Sequence, residues 1–392
     1  MGAFLPAKAH IAFYANNSHL IGAGHIMRLY ALAEVAAIYF DVTFLYKTCS
    51  EALLNKLKQA NFTTVQIDAP INHQQLQRLG FSALFIDDYA LTLAEWQQLR
   101  LLDTYLVKLD DALDNAPILA DLIINPAPNC SAAYYQALAP KAQLCLGPTF
   151  TYLRQEFAQT HYQMIAQRPN ILISLGGTDT KSLALPLVTA LMAALPDVQM
   201  QLLLGKTHQD QAALTTLAKH KPNLSLICDP PSVAAIMMQS GLAISAAGGT
   251  LGELASQGVP TLALVTVDNQ VAAMTSPLNN TWYRAIDVRT FVSSGFDANG
   301  FNTSGFHSPV TQVPPPGSIS QSAINHDLLN VINAEALSLW HKKCLRQTMS
   351  DIARQLIDSQ GCQRVINQLC VDLQQRRNRH DSNPRPSSNT LL

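Results

Sequence analysis

The sequence predicts two consecutive α/β domains, each built on a parallel sheet, and two observations support this fold class. The first is length, since 392 residues exceed one ordinary hydrophobic core and fit two domains with some extra material. The second is a repeated alternation of short apolar runs with amphipathic helical patterns, which is typical of βαβ units. The series begins again after residue 165, and we therefore place the domain boundary there.

Apolar runs of strand length mark the elements of each half. In the first half they are HIAFYA from His10, DVTFLY from Asp41, SALFID from Ser82 and DLIIN from Asp121. In the second half they are NILISLGG, VQMQLLLG, LSLIC, GLAISAAGG and TLALVT, which lie between residues 170 and 266. The segment 146–170 has a Gly-Pro start and a helical middle, so we expect it to cross from one domain to the other.

The composition changes in the last quarter of the chain. Residues 291–322 contain three Gly-Phe pairs and a triple proline, which predicts a flexible insertion. Helical patterns resume over 323–375, and we expect these helices to complete the second domain, which otherwise spans 166–290. The polar residues 376–392 predict a disordered tail. The first domain is predicted to span 1–165.

Composition also narrows the range of partners. The formal charge of -1, from 26 basic and 27 acidic residues, gives no overall field to attract nucleic acid or an anionic membrane. No apolar run approaches the roughly 20 residues that span a bilayer, and the first residues lack the pattern of a signal peptide. The seven cysteines are scattered without a C-x-x-C pair, so they predict reduced thiols and no metal site. We expect a cytoplasmic protein without stable membrane insertion or a nucleic-acid partner; its protein partners stay open.

The sharpest motif is NNSHLIGAGHIMR, residues 16–28, between the first strand and a helix. Gly22 and Gly24 permit a tight turn and a close approach of ligand to backbone. His25 then sits at the helix N-terminus, where the helix dipole disfavours the imidazolium form and leaves the ring able to accept a proton. His25 is therefore the leading catalytic candidate. The alternative is a histidine that only caps the helix or packs in the core.

Two glycine pairs in the second half also follow strands. SLGGTDT places Gly176, Gly177 and Thr178 where backbone N–H groups would suit a diphosphate. SAAGGTLGE places Gly248, Gly249 and Thr250 at the start of a helix that carries Glu253, whose carboxylate suits ribose hydroxyls. Each pair alone is more often a plain βα turn, but two in successive units favour a nucleotide site.

Polar residues at other strand ends complete the candidates. Asp87 and Asp88 end the run SALFIDD, and Asp110 and Asp111 follow another strand in the same way. Ligands of open parallel sheets bind at such ends, although helix capping or a solvated turn competes as an explanation. The Asn269–Gln270 pair could hydrogen-bond a phosphate or a sugar, with a helix cap as the alternative.

Together these motifs resemble the family of UDP-2,4-diacetamido-2,4,6-trideoxy-beta-L-altropyranose hydrolases of the pseudaminic acid pathway. That family is related to the GT-B glycosyltransferase that adds N-acetylglucosamine to the peptidoglycan lipid precursor. The matching segments are IGAGHIMR, IDDYA, LGPTFTYLRQEF, SLGGTD, AAGGTLGE, the Asn269–Gln270 pair and MSDIARQLIDSQGCQRV. They cover roughly residues 9–290 and 338–370, in the expected order.

The resemblance implies a GT-B fold, with two Rossmann-like domains and a central cleft, in which the C-terminal domain holds UDP. It implies that His25 activates water for inverting attack on the anomeric carbon, without a metal or another cofactor. Motif positions and resemblance together name these substrate-binding candidates: Asn16, Gly22, Gly24, Asp87, Asp88, Tyr89, Gly176, Gly177, Thr178, Gly248, Gly249, Thr250, Glu253, Asn269 and Gln270.

The chain departs from the family at two positions. Tyr14 and Asn16 stand where the family usually has an arginine and an aspartate in an R-x-D pattern. A GT-B glycosyltransferase with an acceptor hydroxyl in place of water, or a catalytically weak protein that binds a nucleotide sugar, is therefore an alternative. A dinucleotide dehydrogenase fits less well, because Arg28 follows the first glycine turn and the G-x-G-x-x-G spacing is incomplete.

Overall fold

The computed structural model describes residues 8–16, 24–111, 118–158, 161–176, 179, 181–205, 208–291 and 321–382, without the side chains of 321–324 and 380–382. These residues form two compact α/β units. The first unit contains residues up to 158 and those from 359 onward, and the second contains 159–358. The prediction of two parallel-sheet domains is confirmed.

The first unit is built on a seven-stranded parallel sheet in the order β3-β2-β1-β4-β5-β6-β7. Its strands are β1 His10–Ala15, β2 Asp41–Tyr46, β3 Thr63–Gln66, β4 Ala83–Asp87, β5 Tyr105–Leu109, β6 Leu122–Asn125 and β7 Gln143–Leu146. Its helices are α1 Gly24–Ala36, α2 Glu51–Gln59, α3 His73–Leu79, α4 Leu93–Arg100, α5 Ala132–Leu138 and the last helix of the chain, Gly361–Ser382.

Side chains of β1 alternate between two buried layers, one on each face of this sheet. Ile11 and Phe13 pack with α1 and the last helix, whereas Ala12 and Tyr14 pack with residues of α3, α4 and α5. Since successive strand residues point to opposite faces, a continuous apolar run such as HIAFYA is what a strand covered on both faces requires.

The second unit has a six-stranded parallel sheet in the order β10-β9-β8-β11-β12-β13. Its strands are β8 Asn170–Ser174, β9 Gln199–Leu204, β10 Leu224–Cys228, β11 Ser240–Ala246, β12 Thr261–Val265 and β13 Tyr283–Asp287. Its helices are α6 Ala184–Ala194, α7 Gln211–His220, α8 Val233–Met238, α9 Thr250–Ser256, α10 Ala272–Thr275, α11 Gln321–His341 and α12 Lys343–Leu356. The last helix of the chain is accordingly α13.

The observed division of the chain differs from the predicted one in three respects. The units divide after residue 158 and not near 165. Helices α11 and α12 pack with the second unit as expected, but α13 belongs to the first unit because its apolar face, including Val365 and Ile366, is buried against α1. The predicted tail is helical as far as Ser382. Most of the predicted insertion, residues 292–320, lies outside the described residues, as do 383–392.

Candidate functional site

The candidate site of the first unit lies at the carboxyl ends of β1 and β4. These neighbours form the point at which the strand order reverses, since β2 and β3 lie on one side of β1 and β4 to β7 lie on the other. Ligands of open parallel sheets bind at such a point. The two strands are in register as far as Ala15 and Asp87. Helix α1 follows β1 and brings His25, in its first turn, to the same edge.

His25, Asp87 and Arg28 form one hydrogen-bonded group. Nδ1 of His25 lies 2.7 Å from Oδ1 of Asp87. Arg28, three residues after His25 and hence on the same helix face, donates from Nε to Oδ2 of Asp87 at 2.9 Å and from Nη2 to Oδ1 at 2.7 Å. The Asp87 side chain has no exposed surface, whereas 16% of the His25 side chain is exposed. The carboxylate is therefore buried behind a histidine that remains accessible.

The contact with Asp87 assigns the histidine tautomer. A ring nitrogen 2.7 Å from a carboxylate oxygen carries the hydrogen, because two acceptors would repel at this distance. Nη2 of Arg28 also lies 3.0 Å from Nδ1, but its two hydrogens have acceptors on Asp87 and Tyr89. When Nδ1 of a neutral imidazole carries the hydrogen, Nε2 is the acceptor. His25 is thus oriented by a buried carboxylate and able to take a proton at Nε2, which is the arrangement that a general base requires.

Arg28 also joins this group to a second carboxylate and to a phenol. Its Nη1 donates to Oδ2 of Asp111 at 2.5 Å, and its Nη2 donates to the Tyr89 hydroxyl at 3.1 Å. The Tyr89 hydroxyl donates to Oδ1 of Asp111. Burial alone would raise the pKa of Asp111, but the Arg28 charge and the hydrogen bond from Tyr89 outweigh it and lower the pKa. The Tyr89 ring lies edge-on to His25, with ring centroids 4.6 Å apart.

Asn16 and Asp88 belong to a neighbouring cluster whose polar atoms bond to one another. The Asn16 amide donates to Oδ2 of Asp88 and to the Tyr14 hydroxyl, both at 2.8 Å, and the Tyr14 hydroxyl donates to the same oxygen at 2.9 Å. Oδ1 of Asn16 accepts from the backbone N–H groups of Lys47 and Thr48, after β2. Asn16 thus ties the ends of β1, β2 and β4 together, and the substrate contact expected of it from the sequence stays a prediction.

The second unit brings its candidates to the carboxyl ends of β8, β11 and β12, which are adjacent strands. Gly176 follows β8 and has a φ of 88°, in the left-handed region that favours glycine. A Cβ atom added to Gly248, after β11, would lie 3.6 Å from Nε2 of Gln270, after β12. The Gln270 amide therefore lies beside Gly248 at one sheet edge, and a Cβ added to Gly249 would meet no atom within 4 Å.

The remaining candidates of this unit have different surroundings. Oε1 of Gln270 accepts from the backbone N–H and the hydroxyl of Thr266, which fixes the amide with its N–H groups towards Gly248. Asn269 is exposed in the 3₁₀ turn before α10. Thr250 and Glu253 lie in the first turn of α9. Gly22, Gly177 and Thr178 lie outside the described residues, and Gly24 is the first residue of α1.

Two residues of the first-unit site, Arg28 and Asp111, were not among the catalytic and substrate-binding residues named from the sequence. Arg28 was considered only as a residue that interrupts a glycine motif, and Asp111 only as a polar residue after a strand. The helical spacing between His25 and Arg28 was a usable signal, because residues three apart share a helix face. The pairing of Asp111 with Arg28 required knowledge that β5 lies next to β4.

Among the described residues, no helix has the length and apolar character to cross a membrane. The same residues contain no group of three or more histidine, cysteine, aspartate or glutamate side chains placed to hold a metal ion.

Comparison with known proteins gives distant relatives. No protein-family model matches the chain. The spore coat polysaccharide biosynthesis protein SpsG of Bacillus subtilis is 26% identical over 67% of this chain and 79% of its own length. The UDP-2,4-diacetamido-2,4,6-trideoxy-beta-L-altropyranose hydrolase of Campylobacter jejuni is 24% identical over 68% of this chain and 94% of its own length.

Solved structures that resemble the chain define its fold. MurG of Acinetobacter baumannii matches with a TM-score of 0.54 at 15% identity, covering 92% of this chain and 98% of MurG. The glycotransferase of kitacinnamycin matches with a TM-score of 0.58 at 14% identity, covering 94% of this chain and 100% of the glycotransferase. A structure described as a UDP-N-acetylglucosamine 2-epimerase from Listeria monocytogenes matches with a TM-score of 0.56 at 12% identity. It covers 98% of this chain and 100% of its own. The chain thus has two Rossmann-like domains of the GT-B type. Since this fold is shared by proteins with different reactions, the site must decide the chemistry.

Proposed function

We propose that the chain is an enzyme that processes a nucleotide sugar, and that its reaction is hydrolysis at the anomeric carbon. The observation that carries the proposal is the His25–Asp87 contact of 2.7 Å at the strand-order reversal of the first unit. A buried carboxylate that orients an accessible imidazole is a means of activating a hydroxyl or a water molecule.

In the proposed reaction, Nε2 of His25 removes a proton from water while the water oxygen attacks the anomeric carbon. The bond between that carbon and the diphosphate oxygen breaks, and UDP leaves with the bonding electron pair. A single displacement of this kind inverts the anomeric configuration. UDP is a good leaving group whose charge can be stabilised by hydrogen-bond donors, so an obligatory general acid is not required.

The glycine-rich segments of the second unit are the proposed UDP contacts. Backbone N–H groups at 176–178 and 248–250 would donate to the diphosphate, and the Gln270 amide, which lies against Gly248, would add donors. Glu253 is proposed to accept from ribose hydroxyls. Asn269 is exposed beside Gln270 and is a further proposed contact.

The substrate is proposed to be a UDP-linked 2,4-diacetamido-2,4,6-trideoxy sugar, whose release would serve pseudaminic acid synthesis. The similarity to the Campylobacter jejuni hydrolase supports this choice, and it agrees with the motifs quoted from the sequence. A metal-independent reaction and a cytoplasmic location belong to the same proposal.

The test is phosphorus and proton NMR of purified protein with this UDP-sugar in the presence of EDTA. We expect release of UDP and an inverted free sugar at early times. His25→Ala should lower kcat at least about 100-fold while the affinity for UDP stays within a factor of two, because the proposed UDP contacts belong to the other unit. His220→Ala, which changes an exposed histidine at the end of α7, is the control.

Three outcomes would contradict the proposed reaction or the role of His25 in it. Sugar transfer to an added acceptor that exceeds hydrolysis would identify a glycosyltransferase. Tight binding of the UDP-sugar without turnover would identify a binding protein, and Tyr14 and Asn16 would then be the first positions to examine. UDP release that is unchanged in His25→Ala would remove the histidine from the mechanism.

A further inference from the structure

We infer that Asp111 is a positioning residue that holds the Tyr89 ring against His25 through a closed loop of hydrogen bonds with Arg28. The inference rests on the proposed function, since it assigns to Asp111 a role in keeping the base in place. It concerns a carboxylate that contacts neither His25 nor its partner Asp87 directly and that acts through two other side chains.

The loop of hydrogen bonds uses both oxygens of Asp111. Oδ2 accepts from Nη1 of Arg28 at 2.5 Å, and Oδ1 accepts from the Tyr89 hydroxyl. Nη2 of Arg28 donates to that hydroxyl at 3.1 Å, which closes the loop of three side chains. Because each member bonds to the other two, the position of the phenol is determined by the carboxylate and the guanidinium together.

Tyr89 depends on this loop more than a core tyrosine would. The residue is 56% exposed and lies in the turn after β4, so little packing restrains its ring. Its described hydrogen bonds are those of its hydroxyl to Arg28 and Asp111. The ring nevertheless stands edge-on to His25, at 4.6 Å and an interplanar angle of 76°. Loss of the Asp111 bond would return rotamer freedom to an exposed side chain.

Asp111 is not one of the groups that orient His25, although Nη2 of Arg28 is shared, since it donates to Asp87 and to Tyr89 and lies 3.0 Å from Nδ1 of His25. Arg28 contacts Asp87 with Nε and Nη2, and these two bonds do not involve Asp111. Replacement of Asp111 therefore leaves the His25–Asp87 contact and the bidentate pairing of Arg28 in place. We expect such a change to make the Tyr89 side chain more mobile and to leave His25 able to accept a proton.

The first experiment is a double-mutant cycle on the hydrolysis of the UDP-sugar. Asp111→Asn and Tyr89→Phe should each lower kcat/KM about tenfold, and the double variant should fall no further, since both changes break the same contact. Asp103→Asn is the matched control, because Asp103 also pairs with an arginine, Arg376 at 2.5 Å, at an exposed position of the first unit. Additive losses of about 100-fold in the double variant would overturn the inference.

A second readout works without substrate and so separates this inference from the proposed function. Diethyl pyrocarbonate modifies unprotonated imidazole nitrogens, and peptide mass spectrometry reports the rate at His25. We expect a rate several-fold higher in Asp111→Asn and in Tyr89→Phe than in the wild type and in Asp103→Asn. The reaction is run well above the ordinary histidine pKa of about 6.5, so that the imidazole is unprotonated in every variant. Under that condition a purely electrostatic role for Asp111 would slow the modification, because removal of a carboxylate makes the nearby imidazole less nucleophilic. An unchanged or slower rate in Asp111→Asn would overturn the inference even if the wild type proved not to hydrolyse the sugar.

Discussion

At the scale of single residues, Asp87 decides which nitrogen of His25 can act. Its Oδ1 accepts from His25 and from Arg28, while Oδ2 accepts from Nε of Arg28. In Asp87→Asn, either orientation of the amide sets its NH₂ group against an N–H of Arg28, so the oxygen is no longer held towards His25; in the orientation with the oxygen towards Nε of Arg28, the NH₂ group faces His25. The imidazole would then carry its hydrogen on Nε2, the nitrogen that must accept a proton.

We therefore expect Asp87→Asn to lower kcat about 100-fold or more, because the imidazole of His25 would no longer be held in the tautomer that accepts a proton at Nε2. Affinity for UDP should stay within a factor of two, since the proposed UDP contacts lie in the other unit. Enzyme kinetics and titration calorimetry measure these two quantities, with Asp103→Asn as the control. A kcat within threefold of the wild type, in a variant that melts cooperatively, would show that Asp87 does not orient the base.

Part of this residue-scale arrangement was predictable from the sequence. His25 follows a glycine turn after the first strand, and Asp87 ends another apolar run, so each was named as a site candidate. Their contact at 2.7 Å depends on β1 and β4 being neighbours, which sequence order does not reveal because β2 and β3 come between them. The hydrogen bonds of Asn16 were not predictable in the same way: its position predicts a ligand contact, and the structure adds bonds of its amide to Asp88 and to the backbone after β2.

At the scale of elements, Glu95 joins three segments of the first unit. It completes a capping box with Thr92 at the start of α4, accepts from Nζ of Lys47 after β2 at 2.6 Å, and accepts from the backbone N–H of Ile71 at 3.2 Å. Burial alone would raise the pKa of Glu95, but the hydrogen bonds from Lys47 and from these backbone groups outweigh it and lower the pKa to about 2. The folded state thus favours the ionised form.

This pKa predicts a dependence of stability on pH. A group whose pKa is lower in the folded chain stabilises it fully above the unfolded value of about 4.5 and loses this contribution as the pH falls towards 2. The contribution is about 3 kcal/mol at pH 6. Urea unfolding should show a difference between the wild type and Glu95→Gln that shrinks by about 2 kcal/mol between pH 6 and pH 3.

Glu51→Gln is the control for that measurement, since Glu51 is exposed in the first turn of α2. Its difference from the wild type should stay within about 0.5 kcal/mol at both pH values. A difference for Glu95→Gln that does not change with pH would mean that Glu95 has the same affinity for protons in the folded and unfolded chains.

At the scale of the whole molecule, the strand and helix pattern predicted two α/β domains but assigned the last helix to the wrong one. The apolar positions of α13 indicate a buried face and do not say which core it enters. The structure shows where the helix begins. A Cβ added to Gly361 would lie 2.1 Å from the Thr151 carbonyl oxygen, so the first residue of α13 packs closely on the backbone of the first unit. Asp372 then accepts from the Tyr105 hydroxyl of β5 at 2.5 Å.

The placement of α13 predicts that the first unit is stable only when α13 packs on the residues up to 158. Cys362, Val365, Ile366 and Leu369 are at most 2% exposed in the core that α13 shares with α1. At about 1.5–3 kcal/mol for each buried apolar side chain, their removal would cost as much as the usual stability of a whole domain, about 5–15 kcal/mol. A chain that ends at residue 358 should therefore show faster hydrogen exchange across β1 to β7, measured by mass spectrometry, with β8 to β13 unchanged. The control is a chain that ends at residue 382, which should exchange at the rate of the 392-residue chain. Equal protection of β1 to β7 from exchange in both truncated chains would mean that α13 contributes little to the core of the first unit.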